Sequence, residues 1–171
     1  MSRVAFIVDE MFEDSEFQAP YDAVTQAGHQ AVIVGQEKDK TLTGKKGAKV
    51  KVEKSIDEVA PSQFDALVIP GGYSPDKLRV NEKMVELTKA IHDEGKPVAA
   101  ICHAGWMLTE ADLLKGRMVT SWPSIRTDLI NAGAEWVDQE VVEDGNLITS
   151  RKPDDLAAFT KTLLAQLERQ Q

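Results

Sequence analysis

The amino-acid sequence predicts an α/β protein: one domain over residues 1–171, built on a doubly wound, mostly parallel sheet with helices on both faces. Short uncharged apolar runs recur at residues 4–8, 31–34, 66–69 and 98–101. They are too short for helices and lack the alternation of half-exposed strands, as expected of strands covered on both faces. Between them lie segments with apolar residues at helical spacing, and strands alternating with helices pair in parallel through crossovers. A chain of 171 residues and 18.8 kDa is long enough for one such core. Its 42% hydrophobic content and 7 prolines fit a globular rather than a disordered chain.

The first strand, residues 4–8, runs into Asp9, Glu10, Glu13, Asp14 and Glu16, five carboxylates in eight residues. A helix follows with Phe17, Tyr21, Val24 and Ala27 on one side, and Gly28 stops it. Pro20 cannot donate to the Glu16 carbonyl and crowds it in a regular helix. The helix is therefore expected to start later, leaving Glu16 in the turn that leads into it. Residues 31–34 are a second strand. Residues 38–54 carry seven lysines, and Val50 and Val52 alternate with Lys49 and Lys51. That is a half-exposed ribbon whose lysines guard a sheet edge against other chains. A basic docking patch is the less favoured reading. Gly44-Lys45-Lys46-Gly47 lacks the spacing and the Gly-Lys-Ser/Thr ending of a phosphate loop.

The third strand ends at Pro70 and feeds Gly71-Gly72-Tyr73-Ser74-Pro75-Asp76. A helix over 82–94 presents Met84, Val85, Leu87, Ala90 and Ile91, with Gly95 ending it. Strand 98–101 turns at Cys102 into a helix marked by Trp106, Met107, Leu108 and Leu113. A short fifth strand over 118–120 precedes Ser121-Trp122-Pro123, and a helix over 125–132 closes at Gly133. Residues 141–142 and 147–149 form a hairpin around Asp144-Gly145-Asn146. The last helix starts at Pro153 and buries Leu156, Phe159, Leu163, Leu164 and Leu167.

Composition excludes several classes. One cysteine rules out an internal disulfide framework and a cysteine-rich zinc site, and suits a reducing cytosol. A net charge of −8 argues against non-specific nucleic-acid binding. No run reaches membrane-spanning length, and the first apolar run is too short for a signal peptide. A cytoplasmic location is expected.

In doubly wound folds ligands sit beyond the carboxyl ends of the strands. The loop 9–16, the loop 71–76, Cys102-His103 and Ser121-Trp122 all follow strands, so they converge on one face. Cys102 is the candidate nucleophile. It stands where a buried strand turns sharply into a helix, between the small residues Ala100, Ala104 and Gly105, the steric logic of a nucleophile elbow. A thiol at a helix N-terminus is expected to be acidic, in the range of about 3.5–7.5. The alternative is a small buried hydrophobe. His29 and His92 belong to the opposite end of the sheet, which leaves His103, provided the turn swings its ring back to its neighbour. Glu16 reads equally well as a helix-start acid or as a carboxyl exchanging a proton with the sulfur. Gly71-Gly72 reads as a tight turn or as a source of amides facing an oxyanion. The five acids suggest Mg²⁺, as in aspartyl-phosphate receivers, but the third strand offers no acceptor aspartate.

Phe12-Glu13-Asp14-Ser15-Glu16, Leu67-Val68-Ile69-Pro70-Gly71-Gly72, Ala100-Ile101-Cys102-His103 and Asn131-Ala132-Gly133-Ala134-Glu135 together resemble the PfpI family. These are intracellular cysteine hydrolases and stress proteins of the Parkinson-disease-protein and class I glutamine-amidotransferase-like superfamily. Asp138-Gln139-Glu140-Val141-Val142 and Pro153-Asp154-Asp155-Leu156 extend the match to nearly the whole chain. The resemblance implies a flavodoxin-like sheet, Cys102 as nucleophile, Glu16 hydrogen-bonded to its sulfur, and His103 as its partner. It implies that a carboxylate from a neighbouring subunit orients His103. The matching position is Asp76, one methylene shorter than the Glu of an archaeal relative. Oxyanion donors would be the Gly72 and His103 amides, and Gly71, Gly72, Tyr73, Trp106 and Trp122 would contact substrate. Trp106 replaces a smaller or polar residue and, with Trp122, would narrow the pocket.

The activities implied are removal of early dicarbonyl adducts from proteins, glyoxalase chemistry, or proteolysis, with dicarbonyl chemistry favoured. No metal or organic cofactor is required. Expected partners are a small dicarbonyl or glycated side chains and further copies of the chain, at least a dimer. A non-enzymatic redox sensor or chaperone, with Cys102 oxidised to sulfinic acid beside Glu16, is the alternative from another class.

Overall fold

The computed structural model describes residues 1–170. Seven strands form the central sheet. In chain order they are β1 (Arg3–Ile7), β2 (Gln30–Gly35), β5 (Lys54–Ser55), β6 (Ala66–Ile69), β7 (Val98–Ile101), β10 (Val142–Asp144) and β11 (Leu147–Ser150). Two small ribbons lie outside it: β3 (Thr41–Thr43) with β4 (Lys49–Lys51), and β8 (Met118–Val119) with β9 (Glu135–Trp136). The helices are α1 (Asp14–Gln26), α2 (Ser74–Leu78), α3 (Glu82–Asp93), α4 (Gly105–Glu110), α5 (Arg126–Asn131) and α6 (Leu156–Arg169). The sheet runs β10-β11-β7-β6-β1-β2-β5, and every pair is parallel except the β10–β11 hairpin.

Because side chains alternate across a strand, each central strand feeds two cores. From β1, Ala5 and Ile7 join Leu87, Ile91, Met107 and Leu108 on one face, while Val4 and Phe6 join Phe17, Phe159, Leu163 and Leu167 on the other. The doubly wound α/β expectation holds. β6 and β7 carry no exposed residue, which is why their sequences are continuous apolar runs.

Three sequence expectations need correction. First, α1 begins at Asp14 and carries Pro20 inside it, so Glu16 sits in its first turn. The carbonyl of Glu16 loses one helical bond, a penalty on the order of 3 kcal/mol. Burial of Phe17, Pro20 and Val24, and the ring contacts of Phe17 with Phe6 at 5.7 Å and Tyr21 at 5.3 Å, offset it. Second, residues 118–119 do not enter the central sheet but pair with 135–136. The place beside β7 is filled by β11. Third, β3–β4 is a separate hairpin rather than the guard of a sheet edge. It folds over the loop after β1, whose carboxylates grip its amides: Glu10 accepts from Thr43 N–H at 2.6 Å, and Asp14 from Lys46 and Ala48 N–H at 3.1 and 2.9 Å. The acidic loop is thus largely a clamp. Among the described residues no cluster of His, Cys, Asp and Glu could hold a metal, and no helix is long and apolar enough to cross a membrane.

Candidate active site

Cys102 follows β7 with φ +64°, a left-handed conformation that costs a non-glycine residue about 1–2 kcal/mol. The strain buys an orientation: Sγ comes to 3.2 Å from Nδ1 of His103, the adjacent residue. A 3₁₀ turn over Cys102–Ala104 makes the swing that places the two side chains together. Gly105 leaves room for α5, since a Cβ there would stand 3.0 Å from Leu129 Cδ1. The far nitrogen of His103, Nε2, lies 3.3 Å from Ser124 Oγ. Its ring packs between Trp106, edge-on at 5.3 Å, and Trp122, stacked at 6.2 Å.

Glu16 is fully buried. Its Oε1 accepts the Gly71 amide at 2.9 Å, while Oε2 is buried with no N–H or O–H donor, and the Cys102 thiol faces the carboxyl. Burial drives its pKa up to about 8, with the nearby Glu13 charge adding to the rise against the Gly71 bond. Glu16 therefore keeps its proton at neutral pH. A Cβ on Gly71 would stand 2.5 Å from Glu16 Oε1 and 2.8 Å from Cys102 Cβ, so this position admits only glycine. Gly72, at φ +79°, is pressed against the backbone of residues 11–13.

The thiol is not acidic, contrary to the expectation from its helix-start position. Burial pushes Cys102 up to about 12, and a Glu16 charge would push the same way. The amides of Gly72 and His103 bond to the sulfur and pull downward, but they do not outweigh desolvation by a site in which Cys102 is only 8% exposed. At neutral pH Glu16 is uncharged, so burial alone remains as the main obstacle to ionisation. His103 is lowered by burial and by the Lys45 charge, so its imidazole is neutral and able to take the thiol proton.

A cavity of about 260 Å³ opens over the sulfur, lined by Glu13, Glu16, Lys45, Gly72, Tyr73, Cys102, His103, Trp122 and Pro153. The loops that follow β1, β6 and β7 do meet here. The Ser121–Trp122 segment joins them through Trp122 N–H, which donates to Cys102 O at 3.2 Å.

Residues 2–166 match the model of the DJ-1/PfpI family. The chain belongs to that family. It is 48% identical over 166 residues to "Putative cysteine protease YraA" of Bacillus subtilis, covering 97% of this chain and 98% of the relative. Over 166 residues it is 47% identical to "Deglycase PfpI" of Pyrococcus furiosus, covering 97% and 99%. Among solved structures, a two-domain protein of Anabaena variabilis with DJ-1/ThiJ/PfpI-like and ferritin-like domains superposes with a TM-score of 0.97 at 41% identity. That match covers 98% of this chain and 48% of the two-domain one.

Within this DJ-1/PfpI site, Tyr73 lies at the cavity as expected from the sequence, while Gly71, Trp106 and Asp76 stand elsewhere or act differently. Gly71 spends its amide on Glu16 and does not line the cavity. Trp106 also stays off the lining, buttressing His103 from behind; its Nε1 donates to Asp128 at 3.1 Å, and Arg79 lies over its ring at 5.6 Å. Tyr73 lines the mouth and is 59% exposed. Asp76 is exposed on α2, away from the cavity lining.

Sequence reading missed Ser124, Lys45, Glu13 and Pro153. Ser124 follows Pro123 in a 3₁₀ turn and had no local signature. The lysine-rich run did contain Lys45, but only the folding of the hairpin over residues 10–14 brings it to the sulfur.

Proposed function

We propose that this protein is a cysteine-dependent hydrolase of the deglycase type, acting on reactive dicarbonyls or their early adducts on protein side chains. The observation that carries the reading is the sulfur of Cys102 held 3.2 Å from a neutral imidazole and facing a protonated carboxyl. His103 Nδ1 takes the thiol proton as Sγ adds to the carbonyl carbon. The electron pair of the C=O bond moves to oxygen, and Glu16 supplies or recovers the proton there. The Gly72 and His103 amides, which rest on the sulfur, stand beside the new oxyanion. Relatives named deglycase and putative cysteine protease at similar identity support a thiol attacking a carbonyl in either case.

The small volume of the cavity, about 260 Å³ with Trp122 and Tyr73 at its mouth, favours a small electrophile over an extended peptide. The working form is a cytoplasmic homo-oligomer, at least a dimer, in which Asp76 of a second copy approaches His103. The exposed Tyr73, at the start of α2, and the exposed Asp76 within it support that arrangement. Methylglyoxal, a methylglyoxal-treated peptide and casein, given in parallel to wild type and Cys102→Ser, test the activity. Cys102-dependent loss of the dicarbonyl or its adducts is expected. Cys102-dependent casein cleavage with the dicarbonyls untouched restores the peptidase reading.

A further inference from the structure

Lys45 lines the same cavity as Cys102 and His103. Its backbone is fixed, since its N–H donates to Phe12 O at 2.9 Å and the hairpin is clamped by Glu10 and Asp14. Nζ lies 3.4 Å from Glu13 Oε2 and 5.5 Å from the centre of the Tyr73 ring, with the side chain 37% exposed. Glu13 is itself paired to Lys46 at 2.9 Å, so two ammonium groups share one buried carboxylate. With Glu16 protonated, the lining holds one ammonium, Lys45, and one carboxylate, Glu13, whose charge Lys46 also neutralises from outside the lining. The other lining residues, Gly72, Tyr73, Trp122 and Pro153, carry no charge, which leaves Lys45 the one ammonium of the lining that an entering anion meets. The Lys45 charge is felt at Cys102, Glu16 and His103 alike, in each case against added positive charge. A partly desolvated cation beside a nucleophile is a recognition element for a negatively charged electrophile.

We propose that Lys45 makes this site select small carbonyl compounds that carry a carboxylate beside the reacting carbon, the 2-oxo-acid type of which glyoxylate is the simplest, over neutral ones of equal size. This rests on Cys102 being the nucleophile, as in the function proposed above. In the step itself a carbon–sulfur bond forms and the carbonyl π pair moves to oxygen. That oxygen takes the thiol proton by way of His103 or Glu16, and the carboxylate stays against Lys45 with nothing leaving.

A lysine that only stabilised the thiolate would speed every electrophile equally, whereas one that binds an anion changes their relative rates. Iodoacetate and iodoacetamide separate the two, being similar in size and differing in charge. Each forms an S–C bond and expels iodide, and Cys102 is the single cysteine to be modified. Mass spectrometry follows the rates in wild type, Lys45→Met, Lys45→Arg and Glu13→Gln. The iodoacetate-to-iodoacetamide ratio should fall about three- to tenfold in Lys45→Met, persist in Lys45→Arg and rise in Glu13→Gln. Glyoxylate should protect wild-type Cys102 from iodoacetamide more than it protects Lys45→Met.

A wild-type ratio that falls as salt rises tests the same charge without substitution. A ratio identical in wild type and Lys45→Met, or indifferent to salt, overturns the proposal, even if both rates drop. A ratio that responds to Lys45 while methylglyoxal and its adducts go untouched sinks the dicarbonyl reading and leaves the anion site standing.

Discussion

Glu16 and Gly71 are 55 positions apart, and the carboxyl of one accepts the amide of the other at 2.9 Å inside a fully buried site. That bond ties the first turn of α1 to the loop after β6 and leaves the second carboxyl oxygen to face the sulfur. An ionised Glu16 would have one N–H to compensate the loss of water, so the neutral acid is the stable form.

The first consequence is a stability that falls with pH. The folded pKa of Glu16 is raised to about 8 from 4.5, so the native state holds the proton more tightly than the unfolded chain. This group's contribution is fully present below pH 4.5, declines by at most about 1.4 kcal/mol per pH unit as pH climbs toward 8, and is gone above. Urea unfolding of wild type and Glu16→Gln across pH 5–9 checks it. The glutamine variant, with no proton to lose, should show a flatter profile, and parallel profiles would refute the raised pKa. As proton carrier in the proposed reaction, Glu16→Gln should also lose about 10²–10⁴-fold in turnover.

Cys102 should behave as a buried thiol rather than an activated one. With its pKa pushed up to about 12, alkylation by iodoacetamide should keep climbing through pH 9 without levelling. A plateau below pH 8 would show that the amides of Gly72 and His103 outweigh burial. Cys102→Gly should be inert yet more stable than Cys102→Ala by about 1 kcal/mol, because glycine accepts φ +64° freely.

Ser124 holds the far side of the His103 ring at 3.3 Å. If the thiol donates to Nδ1, Nε2 carries the ring proton and donates to Ser124 Oγ, which fixes the tautomer that accepts from sulfur. Ser124→Ala should lower turnover about three- to tenfold, about the effect of one hydrogen bond, and Ser124→Thr should restore it. Loss in both variants would point to packing rather than to the hydroxyl.

The Asp76 carboxylate makes no hydrogen bond or ion pair with a site residue of its own chain, so its proposed role depends on a second copy. Sedimentation at micromolar concentration should show no dominant monomer, and Asp76→Ala should lower activity while leaving the unfolding midpoint nearly unchanged. Unaltered activity and assembly would remove Asp76 from the site.

Much of this architecture was legible from residues alone, because its signals are local. The runs at β1, β6 and β7 read as doubly covered strands, and Gly28, Gly95 and Gly133, all at positive φ, mark helix ends where expected. Cys102, His103 and the turn between β7 and α4 were equally plain, since strand, elbow and helix are contiguous in the chain.

What escaped depended on contacts between distant segments. Pro20 argued against a helix through Glu16, yet burial of Phe17 and Val24 kept the helix and placed the carboxyl under the sulfur. Lys45 sat in a run that reads as a solvated edge until the carboxylates of Glu10 and Asp14 gather the hairpin amides and turn it over the cavity. The thiol's acidity inverted for the same reason. A helix start is a property of neighbours in sequence, while desolvation sums over every atom that excludes water. So sequence by itself determined the buried parallel strands and the elbow that carries Cys102, and the tertiary structure alone decided which charges surround the sulfur, because burial and Coulomb energy depend on distance in space.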